Sequence, residues 1–242
     1  IESVTQALAP QRNLIIADGH HRYETALGFR DAMRQTYPDA PPNAGFNYVM
    51  VTLVSMSDPG LVVLPTHRLI HDYTAMDSQS LLKALASAFT VTSMPDRATM
   101  RDELADADPD HPRFGFYDGD YALLTLKSLE TMADLLPDRD PNWRALDVSV
   151  LHELVLEHMM GLSKESIVRK DNIDYLRDPD PGYAAVDADE ADLMFVLNGT
   201  RMAQVRACTE AGERMPQKST DFYPKIASGL VALPLDKDLS GF

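Results

Sequence analysis

The fold is predicted outward from residues 14–22, which read Leu14-Ile15-Ile16-Ala17-Asp18-Gly19-His20-His21-Arg22. The short apolar run before Asp18 is rich in β-branched residues and predicts a strand, and Asp18-Gly19 predicts a tight turn. A helix-like stretch follows, from His20 to about Gln35, and Tyr37-Pro38 ends it because proline cannot continue a helix. The predicted unit is therefore strand, turn and helix. Its buried stripe is predicted at Tyr23, Ala26, Leu27 and Met33.

Further elements follow from periodicity, caps and turn residues. The sequence Phe114 to Leu126 predicts a hairpin around Asp118-Gly119, because Asp-Gly accepts the positive φ angles of a two-residue turn. Together these elements predict an α/β protein, in the α+β sense of a mixed sheet with flanking helices. Strands are predicted at 48–56, 61–64 and 193–197, and helices at 77–89 with cap Asp77 or Ser78, at 147–160 with cap Asp147 and stop Gly161, and at 200–211 with stop Gly212.

Composition limits the classes of function. The chain has 242 residues and a formal charge of −15, so a nucleic acid backbone would be repelled and no nucleic acid partner is expected. No apolar run approaches the roughly 20 residues that a spanning helix needs, and no membrane partner is expected. Cys208 is the single cysteine, which favours a reducing, cytoplasmic location. The chain opens with Ile1, so we expect it to be the remainder of a longer polypeptide.

Asp18 to Arg22 places a carboxylate, two imidazoles and a guanidinium within five residues at a strand–helix junction. The free N–H groups at a helix start favour an anion, Gly19 allows close backbone approach, and Arg22 can hold phosphate oxygens in a bidentate manner. A phosphate site is the natural inference, with Asp18 as a base or a metal ligand. The alternative is that Asp18 only caps the helix and the histidines are surface residues.

A transition-metal site is a second reading of the same residues. Asp18, His20, His21 and His67 could supply oxygen and nitrogen ligands. Adjacent histidines on a helix diverge by about 100°, so they rarely face one ion. This reading therefore ranks below the phosphate site, and no residue is assigned to a metal.

Two further polar stretches could add walls to a site. Thr66-His67-Arg68 follows a predicted strand, and residues 215–225 concentrate two lysines, two hydroxyls and aromatic residues in an acidic protein. Lysines there could clamp anionic groups. The alternative is a solvated loop braced by prolines.

Three motifs resemble one family. They are Ile16-Ala17-Asp18-Gly19-His20-His21-Arg22-Tyr23-Glu24-Thr25-Ala26-Leu27, Leu64-Pro65-Thr66-His67-Arg68, and Met215-Pro216-Gln217-Lys218-Ser219-Thr220 with Phe222-Tyr223-Pro224-Lys225. They closely resemble the bacterial and archaeal family known as domain of unknown function 1015, and the chain looks like the C-terminal two-thirds of a member. The Asp-Gly-His-His-Arg element is also similar to the phosphate-binding motif of the ParB/sulfiredoxin superfamily, which includes partition proteins, sulfiredoxins and free-serine kinases.

This resemblance implies a fold division and a function. Residues 1–75 would be a ParB/sulfiredoxin-like portion, and residues 76–242 a C-terminal α/β portion that contributes the Lys-Ser-Thr loop. The implied activity is a nucleotide-dependent phosphotransferase acting on a small hydroxyl metabolite, with free L-serine as first candidate and ATP (or another nucleotide) and Mg²⁺ as cofactors. The alternatives are a nucleotide-binding regulatory module and a metal-dependent hydrolase. The implied catalytic residues are Asp18, His20 and His21, and the implied phosphate- or substrate-binding residues are Gly19, Arg22, His67, Arg68, Lys218, Ser219, Thr220 and Lys225.

Overall fold

A computed structural model describes residues 2–10, 14–106, 108, 110–227 and 229–235. Contacts between Cα atoms divide the chain into two compact units. The first unit comprises the described residues of 1–61 and 224–242, and the second comprises those of 62–223. The division into residues 1–75 and 76–242, which rests on motifs, stays a prediction.

The first unit is built mainly from helices. Helix α1 spans Glu2–Leu8, helix α2 spans His20–Thr36, and a 3₁₀ turn spans Gly45–Asn47. Helix α2 confirms the helix predicted after Gly19. Its predicted buried stripe is only partly covered, because Tyr23 is exposed while Ala26, Leu27 and Met33 are half-buried.

Neither strand predicted in the first unit forms. Residues 14–17 and 48–56 carry no strand assignment, and both predictions are wrong. A strand requires a hydrogen-bonded neighbour, and no described segment of this unit pairs with either run. Their apolar side chains lie open to solvent, with Leu14 69% and Val51 63% exposed.

The second unit is organised around a six-stranded sheet with the order β3-β5-β4-β7-β2-β6. Every neighbouring pair is antiparallel. A separate antiparallel pair joins β1 and β8, and places a strand inside the polar stretch 215–225, for which a solvated loop was one of the two interpretations. The strands are β1 Val62–Leu64, β2 His67–Ile70, β3 Phe89–Met94, β4 Arg113–Tyr117, β5 Tyr121–Leu126, β6 Ile173–Leu176, β7 Leu193–Val196 and β8 Asp221–Tyr223.

The predicted hairpin is confirmed as β4 and β5, with one difference in its turn. Tyr117 pairs with Tyr121, so residues 118–120 form a three-residue loop instead of the predicted two-residue turn. Gly119 has a φ of 104°, which an L side chain rarely adopts. The Asp-Gly dipeptide therefore predicted the position of the turn correctly, but the loop is one residue longer than predicted.

Helices flank the sheet and bury its aromatic residues. Phe114 packs edge-on against Phe89 and Phe195, with ring centroids 5.4 and 5.8 Å apart. This α+β architecture is the one predicted from the sequence. No helix within the described residues is both long and apolar enough to cross a bilayer. The helices of the second unit are α3 Ser78–Leu85, α4 Arg97–Ala105, α5 Glu130–Leu135, α6 Pro141–Arg144, α7 Asp147–Ser149, a π-helix Val150–Met159, α8 Lys164–Arg169, α9 Asp180–Asp187 and α10 Met202–Glu210.

The long helical segment after Asp147 ends as predicted and begins differently. Gly161, with a φ of 75°, follows its last turn and ends it. At the start, Leu146 is the N-cap and Asp147 is the first helical residue, so the predicted Asp147 cap is wrong. The Asp147 carboxylate instead accepts the backbone N–H of Arg113 at 3.1 Å. By contrast, the predicted cap Asp77 is confirmed by its hydrogen bond from the Ser80 N–H.

Candidate functional site

The start of helix α2 leaves its first turn without a side-chain cap. Gly19 is the N-cap, with a φ of 79°, and its conformation is left-handed. The Asp18 carboxylate accepts the Gly19 N–H at 2.8 Å and makes no capping bond to the helix. The reading of Asp18 as a simple helix cap is therefore not what the structure shows. The uncapped N–H groups remain suited to an anion.

Two cations flank the Asp18 carboxylate within the first unit. Arg22 Nη2 lies 3.7 Å from Asp18 Oδ2, and Lys225 Nζ lies 3.9 Å from the same oxygen. All three side chains are well exposed, with 60% of the Asp18 side chain and 43% of the Lys225 side chain accessible. We call Asp18, Gly19, Arg22 and Lys225 the Asp18 cluster. The Asp18 cluster thus brings Lys225, the last residue of the third motif, next to Asp18 of the first motif.

His20 and His21 stand beside this cluster on the first turn of α2. Their ring centroids are 4.2 Å apart and the rings are tilted by 47°. His21 Nδ1 lies 3.6 Å from Glu24 Oε2, and both of these side chains are exposed. Both imidazoles are free of burial and can approach a bound anion.

Arg68, in strand β2, is the most deeply buried cation of the second unit's predicted site, with 1% of its surface exposed. Its Nε donates to His152 Nε2 at 3.1 Å, and its Nη2 donates to the Lys218 carbonyl at 3.1 Å. Its Nη1 donates to the Thr66 carbonyl. Burial lowers the pKa of Arg68 to about 10, so it stays charged at neutral pH. The guanidinium thereby ties the second motif to the third.

The two histidines around Arg68 are held neutral. His67 Nδ1 accepts the Leu197 N–H at 3.2 Å, and burial, with the nearby Arg68 charge, lowers the pKa of His67 to about 4. His152 accepts from Arg68, and burial followed by the same charge lowers the pKa of His152 to about 3. These imidazoles therefore serve as hydrogen-bond partners and carry no charge at neutral pH.

The Lys-Ser-Thr loop presents its residues unequally. Lys218 is exposed and has a positive φ of 56°. Ser219 is buried, and its hydroxyl donates to the Pro216 carbonyl at 2.6 Å. The Thr200 hydroxyl donates to the Ser219 carbonyl at 2.7 Å and fixes the loop from the other side. Thr220 is half-buried. Only Lys218 of the three reaches freely into solvent.

Arg68 and this loop line a narrow pocket. One further lining residue, Asp147, was not predicted from the sequence to belong to the site. Asp147 stands in its wall, and burial raises the pKa of Asp147 to about 6. No sequence signal distinguishes this carboxylate from a helix cap. The pocket is lined by Thr66, Arg68, Leu146, Asp147, Val148, Leu197, Asn198, Thr200, Gln204, Lys218 and Ser219.

The predicted site residues thus form two groups, each inside one unit. Asp18, Gly19, His20, His21, Arg22 and Lys225 belong to the first unit, and His67, Arg68, Lys218, Ser219 and Thr220 belong to the second. Within the described ranges, no group of three or more His, Cys, Asp or Glu residues is arranged to hold a metal ion.

Comparisons with known proteins give distant likenesses in structure. A conserved hypothetical protein from Pyrococcus furiosus is 16% identical, with a TM-score of 0.46, and the match covers 98% of this chain and 82% of that one. A free serine kinase in complex with AMP is 15% identical, with a TM-score of 0.45, and the match covers 98% and 81%. Both TM-scores lie below 0.5, and neither likeness assigns a function to this chain.

Sequence comparison identifies the family. No curated protein matches the chain. The family model described as "Protein of unknown function (DUF1015)" matches residues 1–149. That range is more than half of the chain and contains the Asp-Gly-His-His-Arg motif and Leu64 to Arg68. The chain therefore belongs to the DUF1015 family.

Proposed function

We propose that this chain is a nucleotide-dependent phosphotransferase that acts on a small hydroxyl metabolite, with free L-serine as the first candidate acceptor. The Asp18 cluster carries the proposal. It combines an uncapped helix start, two cations within 4 Å of one carboxylate and a glycine that leaves room for close approach. Phosphoryl transfer needs these parts, because its catalysis is mostly positioning and charge neutralisation.

The cations and the helix would hold the phosphates. Arg22 offers a planar fork of donors that matches phosphate oxygens, and Lys225 offers a mobile point charge. The first N–H groups of α2 add donors of fixed direction. The ring N–H groups of His20 and His21 would add donors to the transferred group.

Asp18 would act on the acceptor. A carboxylate placed between two phosphate-binding cations can accept the proton of an attacking hydroxyl or orient it. One carboxylate together with substrate phosphates is also a usual ligand set for Mg²⁺, so Asp18 fits that ion as well. When bound, Mg²⁺ would neutralise phosphate charge.

The second-unit residues are proposed to bind substrate. Lys218 is exposed and cationic, and Ser219 and Thr220 stand on the loop that Arg68 and Thr200 hold in place. His67 is neutral and braces the β7 end through Leu197. These residues would shape the substrate pocket, with Lys218 as the contact to an anionic group.

The exposure of the Asp18 cluster favours a second candidate, a regulatory module that binds nucleotide and forms no small-molecule product. Kinases shelter the transferred phosphate from water, and the Asp18 side chain is 60% exposed. The metal-dependent hydrolase has less support, since the described residues offer no group of metal ligands.

One incubation separates these candidates. The protein would be mixed with ATP, Mg²⁺ and a pool of amino acids and small alcohols, and phosphorylated products would be sought by mass spectrometry. A new phosphorylated compound supports the phosphotransferase and names its acceptor. Measurable ATP binding without any product supports the regulatory module. Hydrolytic activity supports the metal-dependent hydrolase if a chelator abolishes it and added zinc or manganese restores it.

A further inference from the structure

The first unit has almost no hydrophobic core. Among its described residues, only Ala44, Gly45 and Phe46 are buried. Helix α2 is 17 residues long and has no buried residue. Packed helices and strands normally enclose a core between them. The apolar surface of this unit therefore indicates that a partner covers part of it.

One exposed apolar stretch of the unit is continuous in sequence. We call residues 48–54 the 48–54 run. A continuous apolar run of this length is typical of a strand that is covered on both faces. Six large side chains of the run are instead between 43% and 63% exposed, and they are Tyr48, Val49, Met50, Val51, Leu53 and Val54.

The backbone of the run is also free to pair. Tyr48 is extended, with a φ of −119° and a ψ of 153°. Among the described residues, no backbone hydrogen bond involves residues 49–54. Strand-like segments with free N–H and C=O groups accept a strand from another chain. The partner that fits this run is therefore itself a strand.

The charge distribution favours a second copy of this chain as that partner. The formal net charge is −15, so two copies repel each other wherever their acidic surfaces meet. Residues 40–57 contain no charged side chain. Two copies can therefore approach along the 48–54 run without placing like charges opposite each other, whereas a charged segment of another protein would find no ion pair there.

We propose that the chain forms a two-fold dimer in which the 48–54 run pairs antiparallel with the same run of a second copy. A two-fold axis at Val51 places Tyr48 opposite Val54 and Val49 opposite Leu53. Pairs of aromatic, β-branched and aliphatic side chains stabilise antiparallel strands. Such a contact is closed, because each copy uses the same surface. The inference does not depend on the proposed phosphotransfer.

The area of the run is sufficient for a dimer of moderate affinity. A large side chain has roughly 150 to 250 Å² of surface, so the six half-exposed side chains present about 600 Å² in each copy. Two copies together present about 1,200 Å², the lower limit for a specific and stable interface. An interface of this size predicts a dissociation constant of about 1–10 µM.

Sedimentation equilibrium of the whole protein tests the dimer. The parent is expected to have twice its chain mass of 26.9 kDa at high concentration. Val51→Lys places two ammonium groups at the centre of the interface and should weaken dimerisation at least about 30-fold. The control Val168→Lys changes a valine of α8 that is 67% exposed, and should leave the dissociation constant unchanged. Circular dichroism checks that both variants keep their helices.

Cysteine cross-linking tests the position of the two-fold axis. Directly opposed residues of antiparallel strands have Cα atoms about 4.5–5.5 Å apart, within the range for a disulfide. Val51→Cys is therefore expected to give a covalent dimer on mild oxidation, and the control Val168→Cys is not. Cys208 is buried, so it should not cross-link by itself.

Two results would overturn the inference. The first is a parent protein that stays monomeric at about 100 µM, ten times the weakest expected dissociation constant. Reaction of Val51→Cys with a maleimide would then leave the run to a different protein, and resistance would mean that another part of the same polypeptide covers it. The second is a dimer that Val51→Lys leaves intact and Val51→Cys does not cross-link, because that dimer would form through another surface.

Discussion

Replacing Asp147 by Asn is expected to stabilise the second unit at neutral pH. The pKa of Asp147 is raised from 3.8 to about 6 by burial, so the folded state resists ionisation more than the unfolded state does. The folded carboxyl is still protonated over much of the window between 3.8 and about 6, where the unfolded carboxyl has lost its proton. The free energy of unfolding therefore decreases as pH rises through that window. Asn cannot ionise, so the free energy of unfolding of the variant does not decrease in this way.

The magnitude follows from the same two values. A pKa raised from 3.8 to about 6 corresponds to about 3 kcal/mol once both states are ionised. Between pH 4 and 7 the difference between variant and parent should change by about 2 kcal/mol, because part of the effect lies outside that range. The Asn side chain keeps an acceptor for the Arg113 N–H, so lost hydrogen bonding contributes little.

Urea unfolding measured from pH 4 to pH 7 gives this difference directly. Trp143 is 3% exposed and lies in the same unit as Asp147, so its fluorescence reports the unfolding of that unit. The stability of Asp147→Asn relative to the parent should increase with pH. Parallel stability curves, or a relative loss of stability as pH rises, would refute the burial of this carboxyl.

Further expectations concern the neutral histidines and Gly19. The pKa of His152 is lowered to about 3, so the unfolded state binds a proton first and stability is lost as pH falls below 6.5. His152→Gln should remove about 2 kcal/mol of that loss between pH 6.5 and 4.5 in urea unfolding; an unchanged acid loss would show that His152 is not buried. Gly19→Ala places a Cβ 2.7 Å from Arg22 Nη2 at a positive φ, and should weaken ATP binding at least about fivefold in titration calorimetry. Gly28→Ala, with open space around its Cβ, should not, and equal effects of the two would contradict the role of Gly19.

Local signals predicted much of the fold. The Asp77 cap, the Asp118-Gly119 hairpin and the Gly161 stop each depend on a few neighbouring residues, and the structure has all three. The strands predicted at 14–17 and 48–56 depend on a partner in the sheet, which hydrophobic patterning cannot supply. Both runs have the composition of strands, and no described segment pairs with them.

The candidate site divides in the same way. The charged residues from Asp18 to Arg22 are adjacent in sequence, so their clustering could be predicted, and Lys225 was added through the family motif. Asp147 was read as a helix cap because its distinguishing property is burial in a pocket formed by distant segments. Arg68 was predicted as part of a possible second wall of the site, and the structure makes it a buried cation that joins two motifs.

Formation of phospho-L-serine from ATP and L-serine tests the central claim most directly. With Mg²⁺ present, the parent protein should yield the product by mass spectrometry, and Asp18→Asn should reduce its rate at least about 100-fold, as for loss of a general base. The exposed Asp39 provides the control Asp39→Asn, which should retain full activity. A folded Asp18→Asn protein that forms product at the parent rate would contradict the role of the Asp18 cluster in phosphotransfer.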